Sequence, residues 1–183
     1  MRLWTFQPIG TVAKIKSEGT FRTDHTMSDP DYTEAYHWLA DQMVEKGITK
    51  PEGVIFPVWA WYAYEGEHKK PDMRKPMFSG FKNSELIELE IPDEKVLLSD
   101  YDKWHYVLND SWYDDSRNIE EWESMTAWFD RQPYHKRAEM KRESWKKIFN
   151  LTKIDTEWER SGFYIQATFW EIKPEYIVSM RKV

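Results

Sequence analysis

The sequence predicts an α+β fold, in which a single domain holds a mixed central sheet with flanking helices. Three observations lead to this class. A chain of 183 residues is long enough for one hydrophobic core and short for two. Apolar and polar residues alternate over segments 86–91 and 163–172, and segment 54–64 is a short apolar run rich in rings, all of which predict strands. Apolar residues recur at helical spacing over about 30–46, which predicts a helix, and the strongly basic segment at about 135–149 is expected to form another.

The chain begins with a predicted strand and a short helix. The stretch "RLWTFQ", residues 2–7, is typical of a strand that places Trp4 and Phe6 on one face. Residues 9–18 are expected to form a short helix. Gly19 ends it, because glycine readily adopts the left-handed conformation found after helix C-termini.

The next helix has clear signals at both ends. Ser28 or Asp29 can cap its N-terminus, and Pro30 suits its first turn. Gly47 marks its end. The stripe expected to face the core comprises Tyr32, Tyr36, Leu39 and Met43.

The strand expected at 54–64 contains the ring-rich stretch "FPVWAWYAY". Alternation places Trp59 and Trp61 on one face. The other face carries Val58, Ala60 and Tyr62. Because both faces are apolar, we expect a central strand that is covered on both sides. Two indoles on one strand face lie ~7 Å apart and can stack on a planar ring, so we expect Trp59 and Trp61 to line a concave binding surface.

A long loop is expected between this strand and the next. Residues 66–84 contain two Pro, two Gly and many charged side chains, a composition typical of a surface loop. Loops of this length often carry function, so the segment is a functional candidate.

Two further helices are indicated by capping residues. Asp100 precedes a ring-rich segment and is interpreted as the N-cap of a helix that starts at about that position. Asn118 and Glu121 have the spacing of a capping box.

A charged helical hairpin is expected at about 115–150, inserted before the last strand of a single domain spanning 1–183. Residues 110–130 hold seven acidic residues and one Arg, whereas residues 134–150 hold six Lys or Arg and two Glu. Opposite charges favour packing of the two segments, with a turn at Pro133. The basic segment permits nucleic-acid binding, but the adjacent acidic segment repels phosphate, so this partner is not favoured.

Composition excludes several classes of protein. The chain has no Cys, which excludes disulfides, thiolate metal sites and a cysteine nucleophile. The five His are scattered, and we expect no metal site. The net charge of −6 argues against general binding to anionic membranes. The opening residues lack a signal peptide's apolar region, and no apolar run is long enough to span a bilayer, so a cytoplasmic protein is expected.

Several stretches together resemble one known family. They are "LWTFQ", "FPVWAWYAYEG" followed by "KKPDMR", "IPDEKVLLSDYDKWHYVLN", "ESWKKIF" and "IQATFWEIKPEYIV". In content and order they are similar to the bacterial and phage family called domain of unknown function 3841. This resemblance covers nearly the whole chain but implies no activity, since the family's function is unassigned.

The order of some motifs also resembles ADP-ribosyltransferase-like domains. These begin with a strand, a helix and a Gly-ended turn, here "IKSEGTF", and close with a Gln/Glu-x-Glu strand leading to "IKPEYI". The resemblance implies an ADP-ribosyltransferase-like fold and NAD as a cofactor. The motif reads Gln166-Ala167-Thr168, so the expected carboxylate is missing. Glu171 is the one catalytic carboxylate nearby, and strand parity places it on the opposite face from Gln166.

The hypothesis for function is a nucleotide-type ligand pocket, in the manner of an NAD-dependent ADP-ribosyltransferase relative. In this hypothesis Trp59 and Trp61 stack on a ring, Trp170 forms another wall, and Gln166 binds a polar edge of the ligand. Arg22 or Arg74 binds a phosphate, and Glu171 is the catalytic carboxylate. The alternative is a non-enzymatic accessory or inhibitor protein that binds a partner or small metabolite through an aromatic groove. The sequence leaves both the ligand and the oligomeric state open.

Overall fold

The computed structural model describes residues 1–23 and 29–183. Its strands are β1 Arg2–Pro8, β2 Val58–Ala63, β3 Ser84–Glu90, β4 Leu97–Asp100, β5 Ile154–Asp155, β6 Arg160–Ser161, β7 Ile165–Phe169 and β8 Ile177–Lys182. Six of them form one sheet in the order β4-β7-β2-β1-β3-β8, and β5 pairs with β6 in a separate two-stranded sheet.

Five α-helices accompany the sheets within the described residues. They are α1 Thr11–Glu18, α2 Thr33–Glu45, α3 Tyr101–Leu108, α4 Ile119–Asp130 and α5 Tyr134–Trp145. Shorter 3₁₀ turns occur at Pro30–Tyr32, Pro76–Phe81, Asp93–Lys95, Lys146–Phe149 and Pro174–Tyr176. Across residues 1–23 and 29–183, every helix is too short or too polar to cross a membrane.

The α+β class is confirmed. The six-stranded sheet is antiparallel, which corrects the expected mixed sheet. Strands β1 and β2, β1 and β3, and β3 and β8 all pair in this way. Side chains alternate between faces in the same manner in parallel and antiparallel strands, so the sequence pattern does not reveal the direction of a strand's neighbours.

The chain divides into two compact units. Unit 1 comprises residues 1–98 and 166–183, and unit 2 comprises residues 99–165. The expected charged hairpin lies within unit 2. The expectation of a single domain stays a prediction.

One face of the sheet in unit 1 packs against α1. Its buried apolar residues are Leu3, Val58, Ala60, Ile87, Leu89, Ala167 and Phe169, which join Val12 and Ile15 of the helix. Glu85 of β3 is buried and accepts hydrogen bonds from the backbone N–H groups of Gly10 and Val12, both at 2.9 Å. Gly10 at the N-cap of α1 has no side chain to cap the helix, so the Glu85 carboxylate takes over this role and accepts from the free N–H groups of the first turn.

The other face of β1 and β2 is covered by rings. Trp61 is 7% exposed and meets the Phe78 ring edge-on at a centroid distance of 5.5 Å. Trp59 is half-buried and meets Tyr36 of α2 at 6.3 Å. Phe78 is fully buried although it lies in the charged segment 66–84, so this segment supplies core as well as surface.

Most of the predicted helices and strands are shorter in the structure than the sequence patterns suggested. Strand β2 begins at Val58 rather than at residue 54, because Pro57 has no N–H to donate to a neighbouring strand. Asp29 caps the turn before α2, accepting a hydrogen bond from the Asp31 N–H at 3.0 Å. Ser28, the alternative cap, lies outside the described residues. In the expected stripe of α2, Leu39 and Met43 are fully buried, whereas Tyr32 and Tyr36 are only half-buried.

In unit 2, the predicted caps are confirmed. Asp100 is fully buried and accepts a hydrogen bond from the Lys103 N–H at 2.9 Å and another from the Gly162 N–H. Asn118 caps α4 by accepting from the Glu121 N–H at 2.9 Å.

The predicted pairing of the acidic and basic segments is also confirmed. Lys147 lies 2.6 Å from an Asp115 carboxylate oxygen, and Lys141 pairs with Asp110. Pro133 precedes α5, as the expected turn required.

Candidate ligand-binding site

A cavity of about 340 Å³ lies in unit 1, where the end of α2, the end of β7 and two proline-started turns meet. Its apolar walls include Ile48, Ile91, Phe169, Trp170 and Tyr176. A cavity with mainly apolar walls and a few polar groups is typical of small-molecule sites, and this volume is at the lower end of their usual range.

The end of α2 shapes one wall of the cavity. The N–H of Gly47 donates to the Val44 carbonyl at 2.9 Å, and the N–H of Ile48 donates to the Met43 carbonyl at 3.0 Å. This is the hydrogen-bond pattern of a Schellman motif. It requires a left-handed residue, and Gly47 has φ of 83°. The turn leaves the Ile48 carbonyl oriented towards the cavity residue Trp170.

Trp170 is held firmly in place. It is 4% exposed, and its indole Nε1–H donates to the Ile48 carbonyl at 3.2 Å. The Lys50 ammonium lies 5.4 Å from the ring centroid, within the range of a cation–π contact. The ring therefore forms a fixed wall with a cation beside it.

Lys95 and Tyr176 come from the turns Asp93–Lys95 and Pro174–Tyr176 and form a second polar position. The Lys95 ammonium donates to the Tyr176 hydroxyl at 3.0 Å. This hydrogen bond raises the pKa of Lys95, so its side chain is a fixed positive charge at neutral pH.

Glu171 is bound by two cations. Arg22 donates to its Oε2 from Nε at 3.0 Å and from Nη2 at 2.8 Å, and Lys173 lies 3.3 Å from its Oε1. Burial raises the pKa of the Glu171 carboxyl, but the hydrogen bonds from Arg22 and Lys173 outweigh burial and hold the pKa below its ordinary value. The carboxylate is therefore ionised at neutral pH and has no proton to donate.

The structure brings three of the residues proposed from the sequence to this part of unit 1. Trp170 and Glu171 line the cavity, and Arg22 binds Glu171. Arg22, expected to bind phosphate, and Glu171, expected to be catalytic, thus form an ion pair with each other. Both expected roles stay predictions.

The other proposed residues do not line this cavity. Trp59 and Trp61 pack against rings, as described above. Gln166 has its Oε1 buried without a hydrogen-bond partner among the described residues. Arg74 is an exposed side chain that binds Asp72 through Nε and Nη2, at 2.9 and 2.7 Å. These hydrogen bonds lower the pKa of the Asp72 carboxyl.

Lys50, Lys95 and Tyr176 were missed by the sequence interpretation. A signal for two of them was present, since Pro92 and Pro174 each start a short turn that delivers a polar side chain next to the sheet. No group of three or more His, Asp and Glu side chains among residues 1–23 and 29–183 is arranged to hold a metal ion.

Comparisons with known proteins identify the family of the chain but assign no activity to it. No curated protein and no solved structure matches the chain. The comparisons lend no support to the resemblance to ADP-ribosyltransferase-like domains. The model of the family described as domain of unknown function (DUF3841) matches residues 2–178, which is nearly the whole chain, so the chain belongs to this family.

Proposed function

We propose that unit 1 binds a nucleotide-type ligand in the cavity at Trp170. The observation that carries this proposal is the combination, in one cavity, of buried ring walls and a lysine ammonium that is held by a hydrogen bond. Trp170 and Tyr176 offer aromatic surface for a planar base. Lys95 lines the cavity, and Lys50 lies beside Trp170, where each ammonium can bind a phosphate oxygen.

The remaining polar groups suit the rest of such a ligand. Thr49 and Glu94 also line the cavity. A carboxylate accepts hydrogen bonds from an exocyclic amino group or a ribose hydroxyl, and a threonine hydroxyl can donate or accept. The volume of about 340 Å³ suits one nucleotide moiety, so we expect a mononucleotide to bind better than a dinucleotide such as NAD.

The state of Glu171 favours a binding protein over a transferase. Arg22 binds its Oε2 and Lys173 lies 3.3 Å from its Oε1, and these cations weaken the carboxylate as a general base or as a stabiliser of positive charge on a substrate. This supports the non-enzymatic reading of the sequence. A role for NAD stays a prediction.

The test is calorimetric titration of the protein with AMP, ATP, NAD and adenosine. AMP is expected to bind more tightly than adenosine, because only AMP carries the phosphate. Lys95→Met is expected to weaken AMP binding about 10-fold or more while leaving adenosine unchanged, since a charge-assisted hydrogen bond contributes about 1.5–3 kcal/mol.

The matched control is Lys16→Met, which removes an exposed lysine of α1 outside the cavity. It should leave both affinities unchanged. The proposal is wrong if no nucleotide binds at millimolar concentration, or if the Lys95 and Lys16 variants bind AMP equally well.

A further inference from the structure

Unit 2 contains a cavity of about 420 Å³ that the nucleotide proposal does not use. Four aromatic rings line it: Tyr106, Tyr113, Trp122 and Trp158. The carboxylates of Asp114 and Glu159 line the same cavity. Rings combined with carboxylates are the groups that bind organic cations, because the ring faces and the acids both attract positive charge.

Three of these rings are exposed. Trp122 is 43% exposed, Trp158 is 40% exposed and Tyr106 is 39% exposed. Leaving this much indole surface in water forgoes hydrophobic stabilisation of about 25 cal/mol per Å². Exposed rings that border one cavity are a feature of ligand and partner sites.

Local structure fixes where both indoles lie. Trp122 follows the Asn118 cap of α4 by one helical turn. Trp158 lies in the turn between β5 and β6. There the Thr156 N–H donates to the Glu159 carbonyl at 2.9 Å, and the Glu159 N–H donates to the Thr156 hydroxyl at 2.9 Å. The two rings are therefore placed by capped, hydrogen-bonded elements.

The polar groups of the cavity are ordered as well. Glu159 Oε1 accepts hydrogen bonds from the Tyr113 hydroxyl at 2.8 Å and from the Ser161 hydroxyl at 2.7 Å. Burial, followed by the hydrogen bond to Glu159, raises the pKa of Tyr113 above its ordinary value, so the phenol stays neutral. Asp114 accepts from the Ser116 N–H at 2.8 Å.

The protein already places cations against one of these rings. The Lys147 and Lys103 ammonium groups lie 5.2 and 5.9 Å from the centroid of Tyr113. Both are also near acids, since Lys147 binds Asp115 at 2.6 Å and Lys103 lies 3.7 Å from Glu159. The aromatic and acidic groups here thus bind ammonium groups of the chain itself.

After these pairs are counted, Asp114 and Arg117 are the remaining charged residues among the described residues that line the cavity, and their charges balance. The excess negative charge comes from the adjacent helix. The neighbouring helix α4 carries Glu120, Glu121 and Glu123, all exposed and without an ion pair among the described residues. A positively charged ligand is therefore attracted to this surface, whereas an anionic one is repelled.

We propose that the cavity bordered by Trp122 and Trp158 binds an alkylated ammonium group. A free quaternary amine and a methylated lysine side chain share this chemistry. The bulky, weakly hydrated cation contacts the indole faces, and Asp114 and Glu159 supply the opposite charge. The proposal concerns unit 2 alone and does not depend on nucleotide binding in unit 1.

The test uses a charged ligand and its neutral isostere. Choline and 3,3-dimethylbutan-1-ol have nearly the same shape and differ in charge. Their binding is followed by shifts of the indole N–H resonances in ¹H–¹⁵N spectra, assigned with the Trp122→Ala and Trp158→Ala variants. Choline is expected to shift both resonances and to bind about 10-fold or more tightly than the alcohol. A short peptide with trimethyl-lysine tells whether the same group is preferred on a lysine side chain.

Trp128→Ala is the matched control, since Trp128 is 51% exposed on the same helix and does not line the cavity. Trp122→Ala and Trp158→Ala should each weaken choline binding about 10-fold while Trp128→Ala leaves it unchanged. Asp114→Asn should weaken choline binding and reduce its dependence on salt. Equal binding of choline and the alcohol, equal loss in all three Trp variants, or no binding of choline or the peptide at millimolar concentration would overturn the proposal.

Discussion

Units 1 and 2 place their tryptophans in opposite ways. All five tryptophans of unit 1 are buried or half-buried, whereas three of the six in unit 2, Trp122, Trp128 and Trp158, are exposed. The sheet of unit 1 offers two broad faces against which rings pack. Unit 2 offers the narrow sides of short helices, and α4 has no buried residue at all.

The two units also differ in the proportion of polar residues among those that they bury. Unit 1 has a continuous apolar core between its sheet and α1. Unit 2 also buries apolar side chains, such as Trp104, Trp145 and Ile148, but polar residues such as Asp100 and Lys103 make up a larger share of its buried residues than in unit 1. Apolar packing tolerates small adjustments, whereas buried polar contacts depend on each partner being present. This comparison predicts that single changes to the polar contacts of unit 2 have large effects.

The largest expected effect is that of Gly162→Ala in unit 2. Gly162 has φ of 78°, and an added Cβ would lie 2.6 Å from the Thr152 carbonyl oxygen and 2.8 Å from the Lys153 nitrogen. Both neighbours are backbone atoms, which cannot move aside easily. We expect a loss of roughly 3–5 kcal/mol in the free energy of unfolding, from overpacking and from the left-handed conformation together.

Gly47→Ala in unit 1 is the matched control for this prediction. Gly47 has φ of 83° but no atom within 4 Å of the added Cβ. It should lose only about 1–2 kcal/mol, from the left-handed conformation alone. Chemical denaturation of both variants gives the two values, and similar losses would remove the distinction between the units at these turns.

The second effect is that of Asp100→Ala. Removing this carboxylate takes away the N-cap of α3 and leaves the Gly162 N–H without its acceptor. A lost cap contributes about 0.5–2 kcal/mol and an unsatisfied buried donor about 1–3 kcal/mol. We expect a loss of roughly 2–4 kcal/mol in the free energy of unfolding.

Asp29→Ala in unit 1 removes a cap that is exposed and serves only a 3₁₀ turn. Its loss should be about 1 kcal/mol or less, because water can replace the cap. If Asp100→Ala and Asp29→Ala lower the free energy of unfolding by the same amount, then a buried N-cap stabilises the protein no more than an exposed one.

The third effect concerns pH and the ion pair of unit 1. Because the pKa of Glu171 is lowered in the folded protein, its pairing with Arg22 stabilises the fold fully above the pKa of an unfolded Glu, about 4.3. The stabilisation is lost as the pH falls through the lower folded value. Glu171→Gln should therefore reduce stability by about 1 kcal/mol at pH 7.

The measurement is the melting temperature of the wild type and of Glu171→Gln between pH 7 and pH 3. The difference between them should shrink as the pH falls below about 4.3. A difference that stays constant over this range would show that the ionised carboxylate does not stabilise unit 1.

The sequence predicted the fold class because its signals are local. The N-caps Asp100 and Asn118 were found from residue type and spacing, and the two faces of β2 from alternation. Caps and alternation depend only on neighbouring residues, so they need no knowledge of the rest of the fold.

The site was harder to predict because it depends on what covers each face. Alternation placed Trp59 and Trp61 together, but it gave no sign that Phe78 and Tyr36 pack against them. Nor did it indicate that Arg22 binds Glu171, since 149 residues separate them along the chain. Trp170 was identified, whereas the turns that bring Lys95 and Tyr176 to it were not.

The smallest expected effect concerns the surface ion pairs of unit 2. Lys141 binds the Asp110 carboxylate and carbonyl, whereas Arg142, the next residue of α5, is exposed and has no ion pair among the described residues. Lys141→Met should lower the free energy of unfolding by about 0.2–1 kcal/mol, the usual range for such pairs, and Arg142→Met should change it less. High salt screens exposed charges, so the gap between the two variants should narrow in 1 M salt. Denaturation curves of both variants at low and high salt measure this gap. A gap that does not respond to salt would mean that the alkyl part of Lys141, rather than its charge, stabilises the hairpin, and unit 2 would then resemble unit 1 in relying on packing.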